Sequence, residues 1–101
     1  MEVLLIKREN TGEIQISGRI DSDTTIALEE KLVEQAKRFE SIILDFSHVP
    51  YISSAGLRTI MKLYKEMRSK GGRFQIKNVR KDVADIFQVT GFAGLLDIEG
   101  V

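Results

Sequence analysis

A short apolar run, a serine-containing turn and a helical pattern together constrain the fold of this chain more than any other feature. Residues 42–44, Ile-Ile-Leu, form a wholly apolar run that is typical of a strand buried inside a sheet. After it, apolar residues recur with the period of an amphipathic helix, at Leu57, Ile60, Met61, Tyr64 and Met67. The pattern predicts a central strand that ends near Phe46, a loop that turns at Pro50 and a helix that begins at or near Ser53 and Ser54.

The rest of the chain divides into strands and helices by the same rules. Apolar or alternating runs predict strands over 3–8, 13–17 and 74–77, and the run 95–98 could add an edge strand. Two further helices are predicted over 24–39 and 81–90, with inward faces made of Leu28, Leu32, Ala36 and Phe39 in the first and Val83, Ile86 and Phe87 in the second. This order predicts an α/β fold in one domain over residues 1–101, with a mixed four- to five-stranded sheet flanked by helices.

The predicted crossovers bring two loops together. Both successive βαβ units should be right-handed, so the loops that follow their strands lie at the same edge of the sheet. We therefore expect the loop 18–23 to lie beside the loop 47–54, with Asp21 and Ser54 in one site. The loop 78–80 should leave a third parallel strand at that edge. Asp21, Ser22 and Asp23 could each cap the helix that follows.

Charge and composition exclude several classes of function. Lysine plus arginine and aspartate plus glutamate number 15 each, which argues against nucleic acid or an anionic membrane as a partner. There is no cysteine, so disulfides and thiolate metal sites are excluded. No run of the sequence predicts a signal peptide or membrane insertion. We expect a cytoplasmic domain.

Catalysis and cofactor binding find little support. His48, Ser54 and Asp21 are the residue types of a nucleophilic triad, but the Gly-x-Ser-x-Gly elbow is absent. Asp21, Asp23 and Asp45 lack the spacing of a calcium loop, and no glycine-rich phosphate loop is present. We therefore predict no enzyme activity, no metal and no cofactor.

The two serines at the helix start leave two interpretations open. A phosphate on Ser54 would meet unpaired backbone N–H groups and the positive end of the helix dipole. Ala55 and Gly56 would leave the backbone beside it uncovered, so that another protein could approach closely. Alternatively, Ser53 and Ser54 are only N-caps, which is a common role of serine.

Several segments together resemble one protein family. Residues 43–58, ILDFSHVPYISSAGLR, resemble the signature of bacterial anti-sigma factor antagonists of the STAS domain family. The segment Gly18-Arg19-Ile20-Asp21 resembles the family's Gly-x-Leu/Ile-Asp motif. The stretches 71–74 and 83–92 are similar to its later pattern. The resemblance covers nearly the whole chain and implies a single-domain STAS fold.

The resemblance implies partner switching. The unmodified antagonist binds a serine-kinase anti-sigma factor and so releases its client sigma factor. The kinase then phosphorylates the antagonist, the complex separates, and a PP2C-type serine phosphatase reverses the modification. The matching phosphoacceptor is Ser54, with Asp21, Ser53, Ala55 and Gly56 beside it. The implied partner-binding residues are Asp21, Ser22, Asp23, Ser53, Ser54, Ala55, Gly56 and Arg58.

One departure from the family pattern affects the choice of phosphoacceptor. Ser53 stands where some members have aspartate, which removes a carboxylate and adds a second hydroxyl that a kinase could choose. The Ser-x-Gly spacing selects Ser54. The alternative function is a STAS adaptor subunit of a signalling or lipid-transport complex that is not phosphorylated.

Overall fold

A computed structural model describes residues 1–100, so Val101, the last residue of the predicted domain, lies outside the described part. The strands are β1 (Glu2–Arg8), β2 (Thr11–Ser17), β3 (Ser41–His48), β4 (Arg73–Val79) and β5 (Asp97–Gly100). The helices are α1 (Thr25–Arg38), α2 (Ser54–Ser69) and α3 (Lys81–Val89), and a 3₁₀ helix spans Phe92–Gly94.

The strands form one sheet whose spatial order, β1-β2-β3-β4-β5, is also their order in the sequence. β1 runs antiparallel to β2, and every other neighbouring pair is parallel. The predicted mixed α/β sheet is therefore confirmed. The run 95–98 does contribute to an edge strand, but β5 begins only at Asp97, where that residue pairs with Gln75 of β4.

The hydrophobic core lies between the helices and one face of the sheet. Alternate residues of the central strand, Ile42, Leu44 and Phe46, are fully buried, and the Phe46 ring lies 6.3 Å from the Phe87 ring of α3. The predicted inward face of α1 is buried as expected. On α2 the prediction was partly wrong, because Leu63 is buried whereas Met61 and Tyr64 are only half-buried. On α3 the predicted inward residue Ile86 is likewise half-buried.

The first helix ends one residue earlier than predicted. Phe39 leaves the helix with an extended backbone and is buried against Gly12, where even a Cβ would come within 2.6 Å of the ring. Lys70, just after α2, donates to the carbonyls of Ala36 and Phe39. Its ammonium group thus satisfies carbonyls that the end of α1 leaves without helical partners.

The opposite face of the sheet carries a buried charge that the sequence pattern did not reveal. Glu13 is 6% exposed and its carboxylate lies 3.1 Å from Lys77 and 3.8 Å from Arg8. The ion pair with Lys77 joins β2 to β4 across β3.

Within residues 1–100, no helix combines the length and hydropathy needed to cross a membrane.

Gly72 provides a test of packing at the turn between α2 and β4. A Cβ at this position would overlap the carbonyl oxygen of Glu40 and lie 2.9 Å from Met67 Cε. We expect Gly72→Ala to lower the free energy of unfolding by about 1–3 kcal/mol, since a backbone oxygen has little freedom to move. Urea denaturation measures the loss. Gly94→Ala is the matched control, because no heavy atom lies within 4 Å of its added Cβ. Equal stability of the two variants would contradict the packing argument.

Candidate functional site

The two loops expected to be neighbours are joined by backbone hydrogen bonds. Gly18 donates to the carbonyl of His48 (2.9 Å), Ile20 donates to that of Tyr51 (3.0 Å), and Ser53 donates to that of Ile20 (2.8 Å). Ile20 and Ile52 also form a parallel β-bridge outside the named strands. The β2–β3 pairing therefore continues past the sheet and ends directly before α2.

The two serines at the start of α2 have different roles in the structure. Ser53 is the N-cap: it has an extended backbone, and its hydroxyl accepts a hydrogen bond from the N–H of Gly56 at 3.2 Å. Ser54 is the first helical residue and is exposed. Among residues 1–100, no side-chain or backbone group forms a hydrogen bond with the Ser54 hydroxyl. Only Ser53 therefore fits the N-cap interpretation.

Gly56 is where the sequence-based interpretation was wrong. The backbone at this residue was expected to be uncovered, but Gly56 is buried. An added Cβ would lie 2.6 Å from Ile20 Cγ2 and 2.8 Å from Ile52 Cγ1. The absence of a side chain lets α2 approach both loops closely. Ala55, in contrast, is half-buried and remains partly accessible.

Asp21 builds the turn before α1. Its Oδ1 accepts hydrogen bonds from the N–H groups of Asp23 and Thr24, both at 3.0 Å, and its carbonyl accepts from Thr25 at 2.9 Å. Of the three possible caps, Asp21 therefore organises the helix start, while Ser22 and Asp23 are exposed. The Thr24 backbone N–H is the main cause that holds the pKa of the Asp21 carboxyl below its ordinary value of 3.8; the Asp23 N–H and the nearby Arg19 act in the same direction.

Asp45 lies near the end of β3, the strand that leads into the loop before Ser54. This carboxylate is buried and accepts hydrogen bonds from the Ser47 N–H at 2.9 Å and from Asn78 Nδ2 at 3.3 Å. Burial raises its pKa, but the hydrogen bonds from Ser47 and Asn78 and the charge of Lys77 outweigh that effect, so the pKa lies below 3.8. Asp45 thus links the end of β3 to β4.

The residues weighed for catalysis do not assemble into a triad. His48 is exposed and its Nδ1 lies 3.0 Å from the Ser47 hydroxyl, whereas Asp21 is engaged with its own turn. Within the described residues 1–100, no three His, Cys, Asp or Glu side chains are grouped as metal ligands would be.

A pair of buried hydroxyls joins the two helices that begin at this edge. Thr25 Oγ1 of α1 and Thr59 Oγ1 of α2 are 2.7 Å apart. On the surface, Lys62 Nζ of α2 lies 3.2 Å from Glu29 of α1. Together these contacts hold α2, and with it Ser54, in place against α1. Sequence reasoning missed Thr25 and Thr59, although threonine inside an apolar helix stripe signals a polar partner.

One family model and one characterised relative match almost the whole chain. The family model for the STAS domain matches residues 2–100. The anti-sigma-B factor antagonist of Bacillus subtilis is 28% identical over 92 residues, covering 91% of this chain and 84% of that protein.

Two solved structures share the fold. An anti-sigma factor antagonist from Mycobacterium paratuberculosis superposes with a TM-score of 0.89 at 22% identity, covering 99% of this chain and 86% of that one. The Bacillus cell fate determinant SpoIIAA in its phosphorylated form gives 0.76 at 18% identity, covering 96% and 90%.

The Asp21 turn makes stability depend on pH in a defined way. The Asp21 carboxyl has a lower pKa in the folded chain than in the unfolded chain. Its contribution to the free energy of unfolding is therefore complete above the ordinary pKa of 3.8 and is lost as the pH falls through the pKa of the folded chain. Asp21→Asn should therefore unfold at less urea than wild type at neutral pH, and the difference should shrink on acidification. Asp23→Asn is the control, because the Asp23 carboxylate accepts no hydrogen bond within residues 1–100. If Asp21→Asn is less stable than wild type by the same amount at about pH 2 as at neutral pH, the charge of Asp21 is not the cause of the difference.

Proposed function

This chain belongs to the STAS domain family, and we propose that it is an anti-sigma factor antagonist whose binding is switched by phosphorylation of Ser54. In its unphosphorylated form it binds a serine-kinase anti-sigma factor in the cytoplasm, and that binding releases the client sigma factor. A PP2C-type serine phosphatase restores the binding form. The chain is the substrate of the kinase and has no catalysis of its own. The observation that carries the proposal is the exposed Ser54 hydroxyl, which has no hydrogen-bond partner within residues 1–100, beside Ser53, whose own hydroxyl caps α2.

The helix start has capacity for a phosphate. The N–H groups of Gly56 and Leu57 are bonded to Ser53, but within residues 1–100 those of Ser54 and Ala55 have no backbone partner. Such groups, with the positive end of the helix dipole, favour an added anion. Arg58 lies one turn after Ser54, in the i, i+4 order that suits an acidic group followed by a basic one. The phosphate can therefore be added without breaking a contact of the fold.

The proposed partner surface surrounds Ser54. It consists of Asp21, Ser22, Asp23, Ser53, Ser54, Ala55 and Arg58. Gly56 is removed from the surface predicted from sequence, because it packs inward against Ile20 and Ile52. The relatives support the proposal in two ways: one is named an anti-sigma-B factor antagonist, and the structure of SpoIIAA has been solved in its phosphorylated form.

The phosphoacceptor assignment is tested with a pair of single variants. The chain is incubated with ATP and each purified serine-kinase anti-sigma factor of the source organism, and phosphopeptides are located by mass spectrometry. We expect the phosphate on Ser54 in wild type and in Ser53→Ala, and none in Ser54→Ala. Ser53→Ala should lose about 0.5–2 kcal/mol of stability through its missing cap and still be labelled. Phosphate on Ser53 in wild type would refute the assignment.

The switch itself is tested by binding. Ser54→Asp should fold like wild type, since a carboxylate at an exposed helix N-terminus stabilises by about 0.3–1 kcal/mol. It should bind the kinase more weakly, because the new charge loses its hydration in the interface, a cost that the exposed Arg58 offsets only in part. Calorimetry compares wild type, Ser54→Ala and Ser54→Asp, with circular dichroism as the check on folding. Equal affinity of all three would contradict a charge switch and favour the unphosphorylated adaptor.

A further inference from the structure

A shallow groove of about 460 Å³ follows the exposed side of α2 toward the 3₁₀ helix. Its lining residues are Arg58, Met61, Lys62, Lys65, Glu66 and Phe92. Met61 and Phe92 are half-buried and provide an apolar floor, and charged side chains surround it. The groove thus combines an apolar seat with a charged border.

Positive charge is concentrated on the helix that forms this groove. The whole chain has a net charge of zero, but α2 contains four basic residues and one acidic residue. Two of these cations are engaged within the fold: Lys62 pairs with Glu29, and Arg68 donates to the Tyr64 hydroxyl at 2.9 Å. Arg58 and Lys65 form no ion pair or side-chain hydrogen bond within residues 1–100. These two charges remain available to a partner.

The groove is continuous with the phosphoacceptor. Ser54, Arg58, Met61 and Lys65 follow one another at intervals of four, three and four residues, which places them on one side of the helix. At a rise of 1.5 Å per residue, Lys65 lies about 16 Å along the axis from Ser54. A protein that covers Ser54 can therefore extend onto this stripe without crossing another element.

We propose that this groove docks a segment of the kinase partner that carries an apolar side chain flanked by carboxylates. The apolar side chain sits between Met61 and Phe92, and the carboxylates pair with Arg58 and Lys65. This inference rests on the proposed function, because it names the surface by which that kinase holds its substrate. A phosphate on Ser54 would compete with the partner's carboxylate for Arg58, which couples the docking groove to the modification.

The experiment uses the anti-sigma kinase that phosphorylates Ser54. We expect Arg58→Glu combined with Lys65→Glu to weaken binding about tenfold or more, because both attractions become repulsions. The affinity of wild type should fall with added salt, whereas that of the double variant should rise, because salt screens the new repulsions as it screens the original attractions. In steady-state phosphorylation the double variant should show a raised KM, since the kinase holds its substrate less tightly at this groove.

The matched control reverses two exposed cations of α1, Lys31→Glu with Lys37→Glu, and so makes the same change in net charge. The proposal is supported if only the α2 pair loses affinity while circular dichroism shows both variants folded. Equal losses in the two pairs overturn it in favour of long-range attraction. If the α2 double variant binds the kinase as tightly as wild type and is still phosphorylated on Ser54, the docking groove is ruled out, whereas the proposed function stands. If no serine-kinase anti-sigma factor of the source organism phosphorylates Ser54, the proposed function and the docking inference fall together.

Discussion

The backbone hydrogen bonds between the loops 18–21 and 48–53 are the constraint on which the candidate site depends. They extend the pairing of β2 and β3 beyond the sheet and hold the residue directly before α2 in place. Buried backbone groups need such partners, because an unpaired donor or acceptor costs about 1–3 kcal/mol. The inward packing of Gly56 on Ile20 and Ile52 belongs to the same arrangement. The position of Ser54 therefore follows from main-chain contacts.

Sequence reasoning was most successful where the signal is local. The order of the elements and the start of α2 follow from residue spacing and capping preferences. It was least successful where a contact between segments distant in the sequence determines whether a residue is buried or caps a helix. Gly56 looked uncovered because Ile20, one of the two isoleucines that cover it, comes from the loop before α1. Which of Asp21, Ser22 and Asp23 organises the turn likewise depends on the fold, since all three are good caps.

The site divides its structural and chemical tasks between adjacent residues. Ser53 and Gly56 serve the fold through a cap and a close contact, and Asp21 serves it through its turn. Ser54 and Arg58, one helical turn apart, are exposed and contribute little to the fold. The fold thus presents a small exposed surface around these two residues. Such an arrangement lets a covalent change alter recognition while the core remains as it was.

The strand order has a consequence for how the chain acquires its structure. Because every strand pairs with the one that precedes it in the sequence, no later strand has to insert between two that have already paired. Each βα unit can add to the edge left by the previous one as it leaves the ribosome. Pairing between consecutive strands keeps the loops that must close short, which lowers the entropic barrier to folding. Within residues 1–100, β5 is the last strand to add, and by pairing with β4 it becomes one edge of the sheet.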